Sequence, residues 1–149
     1  MTKIKNYVCG FLFDEYYHNV LLIRKHDPEW QRGMFNGIGG KINSGESALQ
    51  AMDREFAEET TNDSRLNWKY FALIEGVNWK CHFFQANTWD SLTIIKSKVE
   101  KEPELGVFPV DNLPNYNSFG VIPNLNWLIP MACMDPDHKF SNVKSKRVV

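Results

Sequence analysis

A glycine-rich turn leads directly into an acidic helical pattern in the middle of the chain, where residues 37–60 read GIGGKINSGESALQAMDREFAEET. Residues 37–45 hold four glycines, so they cannot form a regular helix, and they suit a backbone that passes close to another group. From about Ser47 to Thr60 the pattern predicts an amphipathic helix, with either Ser44 or Ser47 as its N-cap. Its apolar residues recur at three- and four-residue spacing: Leu49, Met52 and Phe56.

Three carboxylates share one side of this predicted helix. With Glu55 as the origin, Glu58 and Glu59 fall within about a third of a turn on either side of it. Like charges at this spacing destabilise a helix, and a solvated acidic face is the simplest explanation of such a run. However, Glu46 adds a carboxylate from the start of the helix. Arg54 also lies inside the acidic set, where a guanidinium can hold a glutamate through paired hydrogen bonds.

Clustered oxygen ligands of this kind suit Mg²⁺ or Mn²⁺ that also engages phosphate. Such an ion lowers the pKa of bound water and neutralises phosphoryl oxygens. The residues therefore predict metal-assisted hydrolysis of a phosphoanhydride.

The spacing from Gly40 through Glu46 to the run Arg54–Glu59 resembles the Nudix box, G-x5-E-x7-R-E-U-x-E-E-x-G-U. The chain departs from the box at its end, where Thr61 replaces a glycine and Asn62 replaces an aliphatic residue. We expect this departure to affect local geometry more than chemistry. The resemblance implies an α/β fold, a Nudix-type α/β/α sandwich with a mixed central sheet. It also implies Mg²⁺-dependent cleavage of nucleoside diphosphates that are linked to another group.

The same resemblance implies roles for the residues of the box. The metal ligands would be the carboxylates of Glu55, Glu58 and Glu59. Either of the last two would also orient the attacking water. Glu46 would be a supporting metal ligand or a structural carboxylate, and the backbone carbonyl of Gly40 would be a further ligand. Arg54 would orient a glutamate and would not contact the substrate.

Family members often add a glutamate from a later loop. Here Glu102 and Glu104 precede the strand-like segment Val107–Val110. The spacing favours Glu102 as this late catalytic carboxylate, and an exposed loop glutamate is the alternative at either position.

The segment Phe35–Lys41 resembles the MutT-like branch, whose members hydrolyse purine nucleoside triphosphates, including oxidised ones. Gly39 and Lys41 would then lie near the phosphates. Lys25 would reach them too, unless it is simply a surface lysine.

Residues 123–127, PNLNW, are similar to the segment where that branch places a polar side chain against the base. The amide of Asn124 has both a donor and an acceptor, so it suits a purine edge, and a helix-capping role is the alternative. Trp127 is a candidate to stack on the base, although most aromatic side chains pack in the core.

The leading prediction is a Mg²⁺-dependent pyrophosphohydrolase of nucleoside triphosphates. A second possibility keeps the mechanism and changes the substrate to ADP-ribose, a dinucleotide or another nucleotide conjugate. A third is a Nudix-like module that senses a nucleotide without cleaving it. Such modules usually lose glutamates of the box, and this chain retains all of them.

Composition restricts the remaining classes of protein. The 149 residues suit one domain, with a loosely held tail from about residue 139 to residue 149. A formal net charge of −1 excludes nucleic-acid binding by bulk charge, and no apolar run is long enough for a membrane helix. Three widely spaced cysteines predict reduced, buried thiols and a cytoplasmic protein. We expect a monomer or a homodimer that binds a nucleotide.

The coarse pattern predicts further elements around the helix. Tyr7–Phe13 and Val20–Ile23 favour a hairpin, and Pro28–Asn36 a loop. Two later apolar runs favour strands: Tyr70–Ile74 and Trp79–Ala86. A short helix is predicted over Trp127–Met134, where Pro130 would weaken the helix unless it lies in the first turn.

Overall fold

The computed structural model describes residues 3–26, 28–62, 65–97, 104–114, 120–134 and 140–144. Within these residues, two α-helices accompany eight strands. The strands are β1 (Lys5–Asp14), β2 (Asn19–Arg24), β3 (Phe35–Asn36), β4 (Ile38–Lys41), β5 (Lys69–Gly76), β6 (Trp79–Thr88), β7 (Leu105–Pro109) and β8 (Phe140–Lys144). The helices are α1 (Ala48–Glu59) and α2 (Leu125–Met134).

The strands form one mixed sheet in the order β3-β2-β1-β6-β5-β8, with β4 also paired to β1 and β7 also paired to β2. The β1–β6 and β5–β8 pairs are parallel, and the other pairs are antiparallel. The predicted hairpin is confirmed, since Leu12 lies opposite Leu21 in the β1–β2 pair. The strands predicted within β5, β6 and β7 are confirmed as well.

Alternation along β1 divides the apolar side chains between the two faces of the sheet. Phe11 and Phe13 pack in a core that includes Leu125 and Leu128 of α2. Val8 and Leu12 belong to the other core, which includes the buried residues of α1. Each face of the sheet therefore carries a helix, and the predicted α/β/α sandwich with a mixed central sheet is confirmed.

Helix α1 begins with a capping box. The Ser47 hydroxyl accepts a hydrogen bond from the Gln50 N–H at 3.1 Å, and the Gln50 side chain accepts one from the Ser47 N–H at 2.9 Å. The predicted helix and its cap are thus confirmed, with Ser47 and not Ser44 as the cap. The predicted buried stripe is wrong at Leu49, which is 46% exposed. It lies on the flank of the helix, because the face toward the sheet is formed by Ala51, Met52 and Phe56.

The structure decides the position of Pro130 and corrects two other expectations. Pro130 lies in the interior of α2, not in its first turn. Proline has no N–H to donate to the Asn126 carbonyl. Asn126 and Pro130 are both exposed, so the missing helical hydrogen bond lies on the solvent side of α2. The predicted 28–36 loop contains a 3-10 turn at Glu29–Gln31 and the short strand β3. The predicted loose tail is wrong for Phe140–Lys144, because this segment forms β8 against β5.

The three cysteines are free, as predicted. Cys9 is buried, and Cys81 and Cys133 are half-buried. None of the described helices is both long and apolar enough to cross a bilayer.

Candidate active site

The site is built where β4 passes between β1 and α1. Gly39 lies opposite Cys9 in the β1–β4 ladder, and a Cβ atom there would collide with the carbonyl oxygen of Val8. A Cβ atom on Gly40 would lie 2.5 Å from Oε1 of Glu55. The predicted close approach of the glycine-rich backbone is therefore confirmed, and it brings the turn directly against the acidic helix.

Arg54 holds the acidic side chains together. Its Nε and Nη2 donate to both oxygens of Glu46, at 2.7 and 2.9 Å. Its Nη1 donates to Oε1 of Glu55 at 2.9 Å and to Oε2 of Glu58 at 3.2 Å. Nη2 also donates to the backbone carbonyl of Lys41 at 2.9 Å. One guanidinium thus joins β4, the loop before α1 and the helix itself.

Both oxygens of Glu46 are engaged by hydrogen bonds. Its Oε1 also accepts a hydrogen bond from the Asn43 N–H at 2.9 Å. Hydrogen bonds from Arg54 and from Asn43 hold the pKa of Glu46 below its ordinary value. Both oxygens therefore serve to hold the loop and the guanidinium.

Glu59 differs from its neighbours because Arg54 does not hold it. Its Oε2 is buried and has no hydrogen-bond partner among the described residues. Burial, together with the negative charges of Glu55 and Glu58, raises the pKa of Glu59 to about 7, and the charge of Lys25 acts in the opposite direction. The end of the helix thus carries more negative charge than the protein neutralises, which is the environment that a divalent cation fits.

In the part of the chain that the structure describes, no three His, Cys, Asp or Glu side chains converge closely enough to form a ready metal site. Two of the three expected ligands are turned toward Arg54. Arg54 uses one oxygen of each, Oε1 of Glu55 and Oε2 of Glu58.

Two of the predicted phosphate-side residues, Lys25 and Lys41, differ in burial. Lys25 is half-buried, and its positive charge acts to lower the pKa of Glu59 and of Cys9. The Lys41 residue is exposed, and its backbone carbonyl is held by Arg54.

Asn124 occupies the N-cap position of α2, where its backbone carbonyl accepts hydrogen bonds from the N–H groups of Trp127 and Leu128 at 3.2 and 3.0 Å. Its side-chain Oδ1 is buried and has no partner among the described residues. Side-chain capping therefore does not account for this oxygen. Trp127 is 41% exposed, which leaves part of its ring accessible for stacking.

The two candidates for the late carboxylate have different outcomes. Glu102 lies outside the described residues. Glu104 is 72% exposed and forms an ion pair with Arg24 at 3.5 Å. The Arg24 guanidinium also stacks over the Phe35 ring, 5.0 Å from its centroid. Through Arg24, Glu104 therefore contacts the part of the sheet formed by β2 and β3.

Sequence reasoning missed the contacts at the end of the helix. The Thr61 N–H donates to the carbonyl of Lys96 at 2.8 Å, and the Lys96 N–H donates to Oγ1 of Thr61 at 3.0 Å. The only signal in the sequence was the departure from the box at Thr61 itself. Its partner, 35 residues away, gives no local pattern that could have identified it.

A sequence model of the NUDIX domain matches residues 3–123. The chain belongs to the NUDIX family. Since every carboxylate of the Nudix box is present, the chain is a hydrolase that acts on phosphoanhydride bonds. A search of curated proteins finds no match.

Several solved structures share this fold. A NUDIX hydrolase from Nitrosomonas europaea superposes with a TM-score of 0.70 at 18% identity, covering 97% of this chain and 81% of that one. A MutT protein from Bacillus halodurans superposes with a TM-score of 0.65 at 20% identity, covering 93% of this chain and 88% of that one. An ADP-ribose pyrophosphatase from Streptococcus suis superposes with a TM-score of 0.63 at 16% identity, covering 95% of this chain and 98% of that one. At these identities the likeness shows the fold and not the substrate.

Proposed function

We propose that this NUDIX hydrolase is a Mg²⁺-dependent pyrophosphohydrolase of nucleoside triphosphates of the MutT type, with oxidised purine nucleotides among its substrates. It would release a nucleoside monophosphate and pyrophosphate. The observation that carries the proposal is the carboxylate cluster of α1, in which one guanidinium orders two glutamates and a buried oxygen of a third, Glu59, has no partner among the described residues.

The cation would be held by Glu55, Glu58 and Glu59, with the carbonyl of Gly40 as a further ligand. We assign to the cation the two oxygens that do not bond to Arg54, which are Oε2 of Glu55 and Oε1 of Glu58. Because both oxygens of Glu46 are taken, we assign Glu46 to holding Arg54 and not to the metal. When bound, the cation supplies charge neutralisation for phosphoryl oxygens and acidifies water.

The chain's own groups would carry the proton and the orientation. Glu59 is the better candidate to accept the proton of the attacking water, because Arg54 bonds to Glu58 and leaves Oε2 of Glu59 without a partner among the described residues. Arg54 fixes the neighbouring carboxylates so that they do not reorganise during the reaction. Lys25 and Lys41, with the backbone at Gly39, would lie along the phosphates.

The base would be bound at the start of α2. The buried Oδ1 of Asn124 lacks a partner, and a donor on a purine edge would satisfy it. Trp127 would offer its exposed ring as a stacking surface.

Product identification tests the reaction class. The protein is incubated with Mg²⁺ and a panel of ordinary and oxidised nucleoside triphosphates, ADP-ribose and dinucleotides. We expect monophosphate and pyrophosphate from the triphosphates. Turnover that is confined to ADP-ribose or to dinucleotides would contradict the substrate assignment and leave the mechanism standing.

Base recognition is tested with Asn124→Ala and a matched control, Asn126→Ala, in the same helix. Within the described residues, the Asn126 side chain makes a single exposed hydrogen bond, to the Pro123 carbonyl at 3.3 Å. We expect the Asn124 variant to change the preference among bases more than the maximal rate, and the control to change neither. An unaltered base preference in Asn124→Ala would exclude the assignment.

A further inference from the structure

The catalytic helix ends under unfavourable conditions. Glu58 and Glu59 are its last two residues, and its last turn contains no basic residue. Negative charge at a helix C-terminus opposes the helix dipole, and the last carbonyls of a helix lack partners within it. These two glutamates therefore lie in the turn that is most prone to fray, although the proposed reaction requires them to be fixed.

The helix ends at Thr60 and is not followed by the left-handed glycine that is common at the next position. The backbone of Thr60 is extended, with φ −128° and ψ 164°, and the residue is fully buried. Both its N–H and its hydroxyl donate to the Phe56 carbonyl, at 3.0 and 2.8 Å. The chain therefore leaves the helix as an extended segment that can pair with a neighbour.

That neighbour is the segment around Lys96. Thr60 forms a β-bridge with Ser97, and Thr61 exchanges two hydrogen bonds with Lys96. The segment is itself anchored, because Leu92 and Ile95 are buried in the same core as Phe56 of the helix. The hydroxyl of Thr61 therefore joins the end of α1 to a fixed point. A glycine, the residue that the Nudix box has here, would keep the backbone bond and lose the bond to the hydroxyl.

We propose that Thr61 is a positioning residue, which holds Glu58 and Glu59 in place by tying the end of the catalytic helix to Lys96. This inference rests on the proposed hydrolase mechanism, in which these glutamates contact the metal or the water. Thr61 itself is exposed and acts only through the helix.

The kinetic test compares Thr61→Val, which keeps the shape and loses the hydroxyl, with Thr61→Ser, which keeps the hydroxyl. The matched control is Thr88→Val, because the Thr88 hydroxyl also accepts a backbone N–H, that of Asp90 at 3.2 Å. Since small misplacements of catalytic groups cost up to about 100-fold in rate, we expect kcat of Thr61→Val to fall about tenfold with KM changed less than about twofold. Thr61→Ser should restore kcat, and Thr88→Val should leave it unchanged.

Hydrogen exchange of the metal-free protein gives a readout that does not depend on activity. In Thr61→Val the amides of Thr60 and Lys96 should exchange at least about tenfold faster, while the mid-helix amide of Phe56 stays protected. A folded Thr61→Val with the kcat or the exchange rates of the wild type would overturn the inference. An equal loss of kcat in Thr61→Val and Thr88→Val would overturn it too, because that result reports general stability.

The proposed function can fail separately. If the wild type hydrolyses no nucleotide, the reaction assignment is wrong, and the exchange rates of Thr61→Val alone decide whether Thr61 holds the end of the helix.

Discussion

Neutralising Glu59 should make the metal-free protein more stable while it removes activity. The pKa of this carboxyl rises from its ordinary 4.5 to about 7 because the group is buried beside other carboxylates. The folded protein therefore binds the proton more tightly than the unfolded chain does. Stability from this group is fully present below about pH 4.5 and is lost as the pH rises toward 7.

The size of the effect follows from the same shift. At about 1.4 kcal/mol per pH unit, the rise of the pKa corresponds to about 3 kcal/mol at most above pH 7. Since part of the side chain reaches solvent, we expect Glu59→Gln to raise the free energy of unfolding by about 1–2 kcal/mol at pH 8 and by much less at pH 5. Turnover should fall about 100-fold or more, because a metal or base contribution is lost.

Urea unfolding in EDTA at both pH values measures this gain, and kinetics with Mg²⁺ measure the loss of activity. Glu58→Gln is the matched control. It should lower turnover by a similar factor without stabilising the protein, because Glu58 is 59% exposed and paired with Arg54. The reasoning is refuted if Glu59→Gln is no more stable than the wild type at pH 8, or if its gain is equal at pH 5.

Four further substitutions separate stability from catalysis. Ser47→Ala removes the helix cap and should reduce stability by about 1 kcal/mol, seen as a fall of about 3 °C in a thermal melt with kcat unchanged. Gly39→Ala should lower the free energy of unfolding in urea by several kcal/mol, because the new Cβ would collide with the Val8 carbonyl. Gly45→Ala should lower it by about 1 kcal/mol, because Gly45 has φ +80° but open space around it. Equal losses would contradict the packing argument. Arg54→Lys should leave the circular dichroism spectrum unchanged and lower kcat more than about tenfold. A single ammonium group cannot replace the planar guanidinium that bonds to three carboxylates. A normal kcat would show that Arg54 does not order these carboxylates.

Local signals in the sequence predicted the parts of the fold that depend on neighbouring residues. The helix cap is a local signal, and Ser47 was one of its two candidates. The close approach of the backbone was expected from four glycines in nine residues. The hairpin of β1 and β2 is likewise local. The acidic face of α1 was also predictable, because helical geometry fixes it once the helix is established.

Contacts between distant residues were not predictable in this way. Strand β8 has a polar sequence that is typical of a loose tail, and it is ordered by pairing with β5. Leu49 follows the helical period, but its exposure depends on where the sheet lies. Pro130 is tolerated inside α2 because the buried residues on the opposite side hold that helix. The Thr61–Lys96 pair depends on a segment that local periodicity cannot place.

The distribution of stability along α1 explains why an unfavourable helix end persists. The first turn follows ordinary rules, with a capping box and then buried Ala51 and Met52. The last turn breaks them, with two carboxylates set against the helix dipole. Residues that break local rules without a structural gain are expected at functional sites. Stability therefore comes from the start of the helix and from the contacts of Thr60 and Thr61 beyond it. These contacts allow the turn between them to hold the Glu59 carboxylate, which Arg54 does not pair.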